Sequence, residues 1–233
     1  MAYGEYGSIS SVGGVCLKKV INFRQAAEMI EPGSRVMIGG FLAVGSPHGI
    51  IDQLVKAGTS GLTVIANDTG FPDRGIGKLV VNGQVAKVIA SHIGTNPATG
   101  QQMNAGTLEV ELIPQGTLAE QIRAAGAGLG GVLTPTGIGT VAQEGREVIS
   151  VDGRDYILAR PLFADVALIK AHKADRNGNL VYRRTARNFN PLMAMAARLV
   201  LAEVEEIVET GQLDPDHVVT PGIFVDYLVK EGQ

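Results

Sequence analysis

The chain has 233 residues, 45% of them hydrophobic, enough for one substantial α/β core, too few for two ordinary domains with a linker, and unlike a disordered composition. Its net charge is −3, with acids and bases interspersed and no block of five like charges, which argues against nucleic acid or an anionic membrane surface as a main partner. The single cysteine, Cys16, excludes an intrachain disulfide and fits a reducing compartment.

Residues 1–16 carry no Lys or Arg and no long apolar run, so they do not form a secretory signal. Rich in Gly, Ser and Tyr, they read as a flexible N-terminal extension, native or appended, ahead of one domain over residues 17–233. A long uncharged run, Ala124 to Gln143, contains six glycines and Pro135 and makes a poor lipid-facing helix. A soluble, cytoplasmic protein is expected.

Strand-like and helix-like segments then alternate, the pattern of an open, mostly parallel α/β sheet with helices on both faces. Asn22 and Gln25 make a capping box for a helix whose apolar face is Phe23, Ala26, Ala27 and Ile30, stopped at Pro32-Gly33. Arg35 to Ile38 reads as a buried strand, followed by a glycine-rich turn from Gly39 to Gly45. Ser46 as N-cap and Pro47 as first residue open a second helix with Ile50, Ile51, Leu54 and Val55 inward and Gly58 at its end. Leu62 to Ala66, Lys87 to Ala90 and Glu109 to Ile113 read as strands buried on at least one face. Thr117 and Glu120 suggest a capping box for a helix ending near Gly126. Ala164 to Lys170 is a strand joined through an Asn177-Gly178 hairpin turn to Leu180 to Arg184. A helix over Pro191 to Ala197 leads to a last strand, Leu199 to Glu203. No internal repeat and no interdomain linker are evident.

Three places carry candidate chemistry. The turn from Gly39 to Pro47 joins a strand to a helix, where glycines admit a ligand to the backbone and free N–H groups attract anions. Asn67 follows a strand end, which in an open α/β sheet faces the ligand crevice; an ordinary Asx turn is the competing reading. Gln115 stands between the strand ending at Ile113 and the following helix. From position alone a loop cap is the plain reading of its side chain. The glycines of Gly126 to Gly131 follow a helix instead of opening one, so they do not match a dinucleotide fingerprint. The four histidines and the lone cysteine have no metal-ligand spacing, and no metal or permanently bound cofactor is expected. Arg183, Arg184 and Arg187 form a basic cluster that fits the phosphates of a ligand, a solvated hairpin or a subunit interface. The acidic stretch Glu203 to Glu209 reads as solvated surface.

The string Val36-Met37-Ile38-Gly39-Gly40-Phe41 followed by Gly45-Ser46-Pro47 resembles the alpha-subunit signature of family I CoA-transferases: three apolar residues, Gly-Gly-Phe, three residues, Gly-x-Pro. Pro32-Gly33 stands where that signature begins with Asp or Asn and then Gly or Asn, a departure confined to the turn before the strand. Pro114-Gln115-Gly116-Thr117, the Gly126 to Gly131 run and Thr134-Pro135-Thr136-Gly137 are similar to acetoacetate-type members, as are Ala186-Arg187-Asn188-Phe189-Asn190 and Val219-Thr220-Pro221-Gly222-Ile223. Ser91-His92-Ile93-Gly94-Thr95-Asn96-Pro97 is worded more like bacterial acetoacetate or butyrate CoA-transferases than 3-oxoadipate ones. The resemblance runs from about Leu17 to Val229.

That resemblance implies a CoA-transferase and sugar-isomerase-like fold and transfer of coenzyme A between short-chain carboxylic acids, with the coenzyme A thioester as substrate. It places Gln115 at the active site as oxyanion donor. Gly39, Gly40, Phe41, Gly45, Pro47, Asn67, Gly128, Gly130 and Gly131 become substrate-binding residues. The nucleophile of such enzymes is a glutamate in a Glu-Asn-Gly motif, and none of the thirteen glutamates here precedes Asn-Gly. A beta-subunit partner, in an alpha2beta2 or larger assembly, is therefore expected, with acyl-CoA and short-chain carboxylates as substrates. A dinucleotide-binding oxidoreductase and a non-catalytic ligand-binding module of the same fold remain the alternatives.

Overall fold

The computed structural model describes residues 11–12 and 15–230. Within the N-terminal stretch, β1 (Ser11–Val12) pairs antiparallel with β2 (Val15–Cys16); the rest of the 1–16 extension lies outside the described residues. The following elements are β3 (Lys19–Ile21), α1 (Phe23–Glu28), β4 (Arg35–Ile38), α2 (His48–Ala57), β5 (Leu62–Ile65), α3 (Ile76–Val81), β6 (Val85–Ala90), α4 (Pro97–Asn104), β7 (Glu109–Leu112) and α5 (Gln115–Gly126). Beyond α5 come β8 (Val132–Thr134), β9 (Val148–Val151), β10 (Arg154–Ala159), β11 (Ala164–Asp175), β12 (Leu180–Val181), α6 (Asn190–Ala194), β13 (Ala197–Val208) and β14 (Tyr227–Lys230).

One sheet organises them, in the order β3-β14-β13-β11-β4-β5-β6-β7. All of its neighbouring pairs are parallel, and β12 adds one short antiparallel partner to β11. Alternation along the strands explains why both faces are covered. Val36 and Ile38 of β4 enter one buried cluster with Ile50, Ile51 and Leu54 of α2, while Met37 enters the other with Leu118 and Ile122 of α5. Strands apolar on both faces belong in a parallel sheet sandwiched by helices, which is the expected class.

Local signals hold in most elements. Asn22 and Gln25 form the reciprocal capping box, and Gly58 ends α2 in the left-handed region at φ 69°. Others shift. Pro47, not Ser46, is the N-cap of α2, and Ser46 makes no cap hydrogen bond there. Helix α5 starts at Gln115 with Pro114 at its N-cap, so no capping box forms at Thr117, whose buried Oγ1 has no hydrogen-bond partner. Proline's fixed φ suits a helix entrance, and that entrance comes three residues before the one suggested by Thr117 and Glu120. Strand β7 is a sheet edge with Glu109 and Leu112 exposed, and β11 and β13 each run to twelve residues. A separate three-stranded antiparallel sheet, β8-β10-β9, fills the stretch between α5 and β11.

The long β11–β13 pair overturns one expectation. Glu203 is not solvated surface: it is 1% exposed, its Oε1 lies 3.3 Å from Lys170 Nζ, and its Oε2 accepts the Ile50 N–H at 3.0 Å. Farther along the same strands Glu205, Glu206 and Glu209 do reach solvent and pair with His172, Lys173 and Arg176. Packing of α2 onto the sheet separates the two behaviours, because it covers β13 at Glu203 and not beyond.

Candidate functional site

Parallel strands bring their C-terminal ends to one edge, and in an open sheet the crevice lies where strand order reverses. Here the reversal falls between β4, whose successors run toward β7, and β11, whose successors run toward β14. Four strand ends at this edge deliver the Gly39 turn, Asn67-Asp68, Ser91 and Gln115.

Asn67 is the hub and is 2% exposed. Its Oδ1 accepts from Gln115 Nε2 at 2.6 Å and from Ser91 Oγ at 3.1 Å, while its backbone oxygen accepts from Ser91 Oγ at 2.8 Å. Its Nδ2 donates to Asp68 Oδ2 at 2.7 Å. That carboxylate also takes the Leu42 N–H at 2.9 Å and, through Oδ1, the Gly70 N–H at 2.8 Å. Hydrogen bonds thus fasten the ends of β4, β5, β6 and β7 together. Gln115 is the first residue of α5, is exposed, and makes this one side-chain hydrogen bond among the described residues, leaving its second amide hydrogen without a protein partner.

The Gly39–Pro47 turn is a tight hairpin. Phe41 and Val44 exchange both backbone hydrogen bonds, at 3.0 and 2.9 Å, and the two residues between them, Leu42 and Ala43, have φ of 47° and 67°. Positive φ at two non-glycine residues costs roughly 1–2 kcal/mol each, so the surroundings must over-determine the turn. Asn188 does so from across the chain: its Oδ1 accepts the Gly40 N–H at 3.1 Å and its Nδ2 donates to Val44 O at 2.9 Å. Asn190, fully buried, donates to Gly45 O at 3.0 Å and accepts the Lys170 N–H at 3.0 Å. A second, looser turn, Phe71 bridged to Arg74 between Gly70 and Gly75, follows β5.

The close approach of Asn190 sets the requirement at Gly39, where an added Cβ would run into the Asn190 side-chain amide. Gly39→Ala is expected to destabilise by about 1–3 kcal/mol through overpacking. For a chain of this size that lowers the melting temperature by roughly 2–12 °C. An unchanged melting temperature would show that Asn190 moves aside without cost.

The start of α2 does not offer the free anion site suggested by its sequence. Glu203 already occupies the Ile50 N–H, placing a carboxylate of the chain itself at that helix end. Gly39, Gly40, Phe41, Gly45, Pro47, Asn67 and Gln115 all sit along the C-terminal sheet edge or the hairpin it carries. Gly128, Gly130 and Gly131 do not join them. They lie past the far end of the 12-residue α5, about 18 Å along its axis from Gln115. There Gly126 lets α5 pass close to Met195 and Gly131 passes the Ala159 carbonyl, while Gly128 and Gly130 face open space. Ser91, Asp68, Asn188 and Asn190 were not singled out from sequence. Ser91 was findable, since it follows the end of β6 as Asn67 nearly follows β5, whereas the two asparagines act across nearly 150 residues.

A cleft of about 310 Å³ adjoins this cluster between Ser91, Pro114, Val141 and Glu144, roofed by the short helical turn Val141–Gln143. Among the described residues no helix is long and apolar enough to cross a membrane, and no three His, Cys, Asp or Glu side chains gather as a metal ion requires.

Comparison with known proteins bears on this geometry. A family model described as Coenzyme A transferase matches residues 20–231. The chain is 54% identical over 211 residues to the acetate CoA-transferase subunit alpha of Escherichia coli (strain K12), covering 91% of this chain and 96% of that one. It is 51% identical over 213 residues to the acetoacetyl-CoA:acetate/butyrate CoA transferase alpha subunit of Clostridium acetobutylicum, covering 91% and 98%. Among solved structures, an acyl-CoA transferase from Escherichia coli O157:H7 in a thioester complex with CoA superposes with a TM-score of 0.84 at 22% identity. The match covers 92% of this chain and 47% of that one, so this chain spans about half of the neighbour's length, and at that identity the likeness speaks for the fold.

Proposed function

The chain belongs to the coenzyme A transferase family, and from that premise we propose that it is the alpha subunit of an enzyme moving coenzyme A between short-chain carboxylic acids, of the acetyl-CoA, acetoacetate or butyrate type. One observation carries the division of labour. The strand-end cluster supplies amides, a hydroxyl and one carboxylate, Asp68, whose two oxygens are taken up by three N–H groups. A carboxylate so engaged is a poor nucleophile, while a Gln amide with a spare N–H is a suitable oxyanion donor. Among the described residues the cluster presents donors and holds no free carboxylate, and a partner subunit supplies the glutamate.

The reaction is then a double displacement. The partner glutamate attacks the acyl-CoA carbonyl, the C–S bond breaks, and an acyl-glutamyl anhydride and coenzyme A thiolate result. The thiolate attacks the glutamyl carbonyl of the anhydride and releases the first carboxylic acid as its carboxylate, leaving a glutamyl-CoA thioester. The acceptor carboxylate runs the same two steps in reverse and departs as the new acyl-CoA. Each tetrahedral intermediate bears an oxyanion, and Gln115 is the residue of this chain that donates to it. Asn67, itself held by Ser91, accepts from the Gln115 amide, and the Gly39–Pro47 hairpin walls the site. Coenzyme A enters as a thioester substrate and leaves as one, with no permanently bound cofactor.

The alternatives lack support in the geometry. A dinucleotide fingerprint requires glycines between a strand and a helix start, and Gly126 to Gly131 follow the C-terminal end of α5. The purified chain alone is expected to show no transfer from acetyl-CoA to acetoacetate or butyrate, and to become active on addition of a beta subunit. Robust transfer by the isolated chain would refute the shared site.

A further inference from the structure

Arg183, Arg184 and Arg187 stand apart from most of the other basic residues. Arg123, Arg146, Arg160 and Arg176 each pair with a carboxylate. The three arginines are exposed and form no ion pair among the described residues. Their surroundings explain why: from Asn177 to Ala202 the chain has no Asp or Glu, and the facing segment Val36 to Ile51 has none either. Two carboxylates of the hydrogen-bond network around the hairpin and α2 are committed elsewhere, Asp68 to three N–H groups and Glu203 to Lys170 and Ile50. In a chain of net charge −3 this leaves a patch of three positive charges without compensation.

The patch is also fixed in place relative to the crevice. It lies on the turn Arg184–Arg187, whose Ala186 carbonyl accepts from Asn190 Nδ2 at 2.8 Å. The same asparagine and Asn188 hold the Gly39–Pro47 hairpin, so hairpin and arginine turn form one unit at the rim of the candidate site. Arg184 adopts φ 52° and Asn188 φ 20°, backbone conformations that a side chain pays to hold and that concentrate at ligand-binding segments.

We propose that Arg183, Arg184 and Arg187 bind the phosphate groups of the coenzyme A thioester at the crevice rim, an assignment resting on the reading of that thioester as substrate. The guanidinium fork matches phosphate oxygens bidentately and keeps its charge at every working pH. Coenzyme A carries its 3′-phosphate and pyrophosphate at the opposite end of a long arm from the thioester. A phosphate site therefore belongs at the rim and not beside Gln115. The rim carries one sign of charge where the ligand carries the other.

The test uses the assembled alpha–beta enzyme with Arg183→Ala/Arg187→Ala and Arg183→Lys/Arg187→Lys, and two donors: acetyl-CoA and the phosphate-free acetyl-pantetheine thioester. The alanine pair is expected to raise KM for acetyl-CoA about tenfold to a hundredfold with kcat nearly unchanged, and to flatten its dependence on ionic strength. KM for the pantetheine thioester should stay the same, and the lysine pair should recover part of the loss. An equal loss with both donors would overturn the proposal by marking the effect as structural. A complex that falls apart on size-exclusion chromatography, yet shows wild-type KM once reassembled at high concentration, would assign the arginines to the subunit interface instead. Failure of the wild-type complex to use acetyl-CoA at all would refute the underlying substrate reading, a result separable from failure of the arginine site alone.

Discussion

Gln115→Ala in the assembled enzyme is expected to lower turnover about a hundredfold with little change in substrate affinity. The donor matters only when the thioester carbonyl becomes tetrahedral and its oxygen charged, so removing it raises the barrier without loosening the ground state. The fold should survive. Asn67 Oδ1 retains Ser91 Oγ as a donor after the truncation, and one exposed amide contributes about 1 kcal/mol. Gln115→Glu is the sharper companion, because a carboxylate keeps the shape, donates nothing and repels an oxyanion. Its turnover should fall at least as far. Steady-state kinetics on the reconstituted variants, with size-exclusion chromatography as the assembly control, measures both. Near-normal turnover in an intact complex would reduce Gln115 to a loop cap.

Glu203→Ala should give the largest loss of stability of any single change considered. Glu203 is buried against Lys170 and also holds the first turn of α2 through Ile50 N–H. Removing one partner of a buried ion pair costs about 3–5 kcal/mol, which for a chain of this length lowers the melting temperature by roughly 6–20 °C. The double variant Lys170→Met/Glu203→Gln removes both charges and keeps an acceptor for Ile50. It should melt well above Glu203→Ala, since desolvating the pair offsets much of its attraction. Thermal unfolding at fixed protein concentration decides the matter, because subunit association shifts apparent stability by mass action. A Glu203→Ala melting point within about 2 °C of wild type would mean that the pair is not what holds α2 to the sheet.

Some of the site was legible before any coordinates. Asn67 follows from its place after a strand, and Gln115 from its place between a strand and a helix together with the family resemblance, and both lie at the sheet edge that those places imply. Ser91 satisfied the same rule and was passed over because its neighbours were read for substrate wording and not for position. The acidic run beginning at Glu203 was misread because charge alone gives no sign of the helix that covers its first member. The glycines of 128–131 are placed at the substrate by the family resemblance and not by composition, yet a 12-residue helix separates them from Gln115.

The sequence by itself determined what depends on near neighbours. It set the α/β alternation, the Asn22 capping box, the left-handed Gly58 terminus and the Asn177-Gly178 turn, because each arises from residues within a few positions of one another. Tertiary structure alone decided which strand ends would meet. Strand order in a parallel sheet leaves no trace in periodicity, and helix crossovers separate its neighbours by tens of residues. Gln115 finds Asn67 across 48 positions, Asn188 clamps Gly40 across 148, and Glu203 caps Ile50 across 153. The first two belong to the candidate site and the third to the helix beside it, and each exists because the order β13-β11-β4-β5-β6-β7 brings distant segments together.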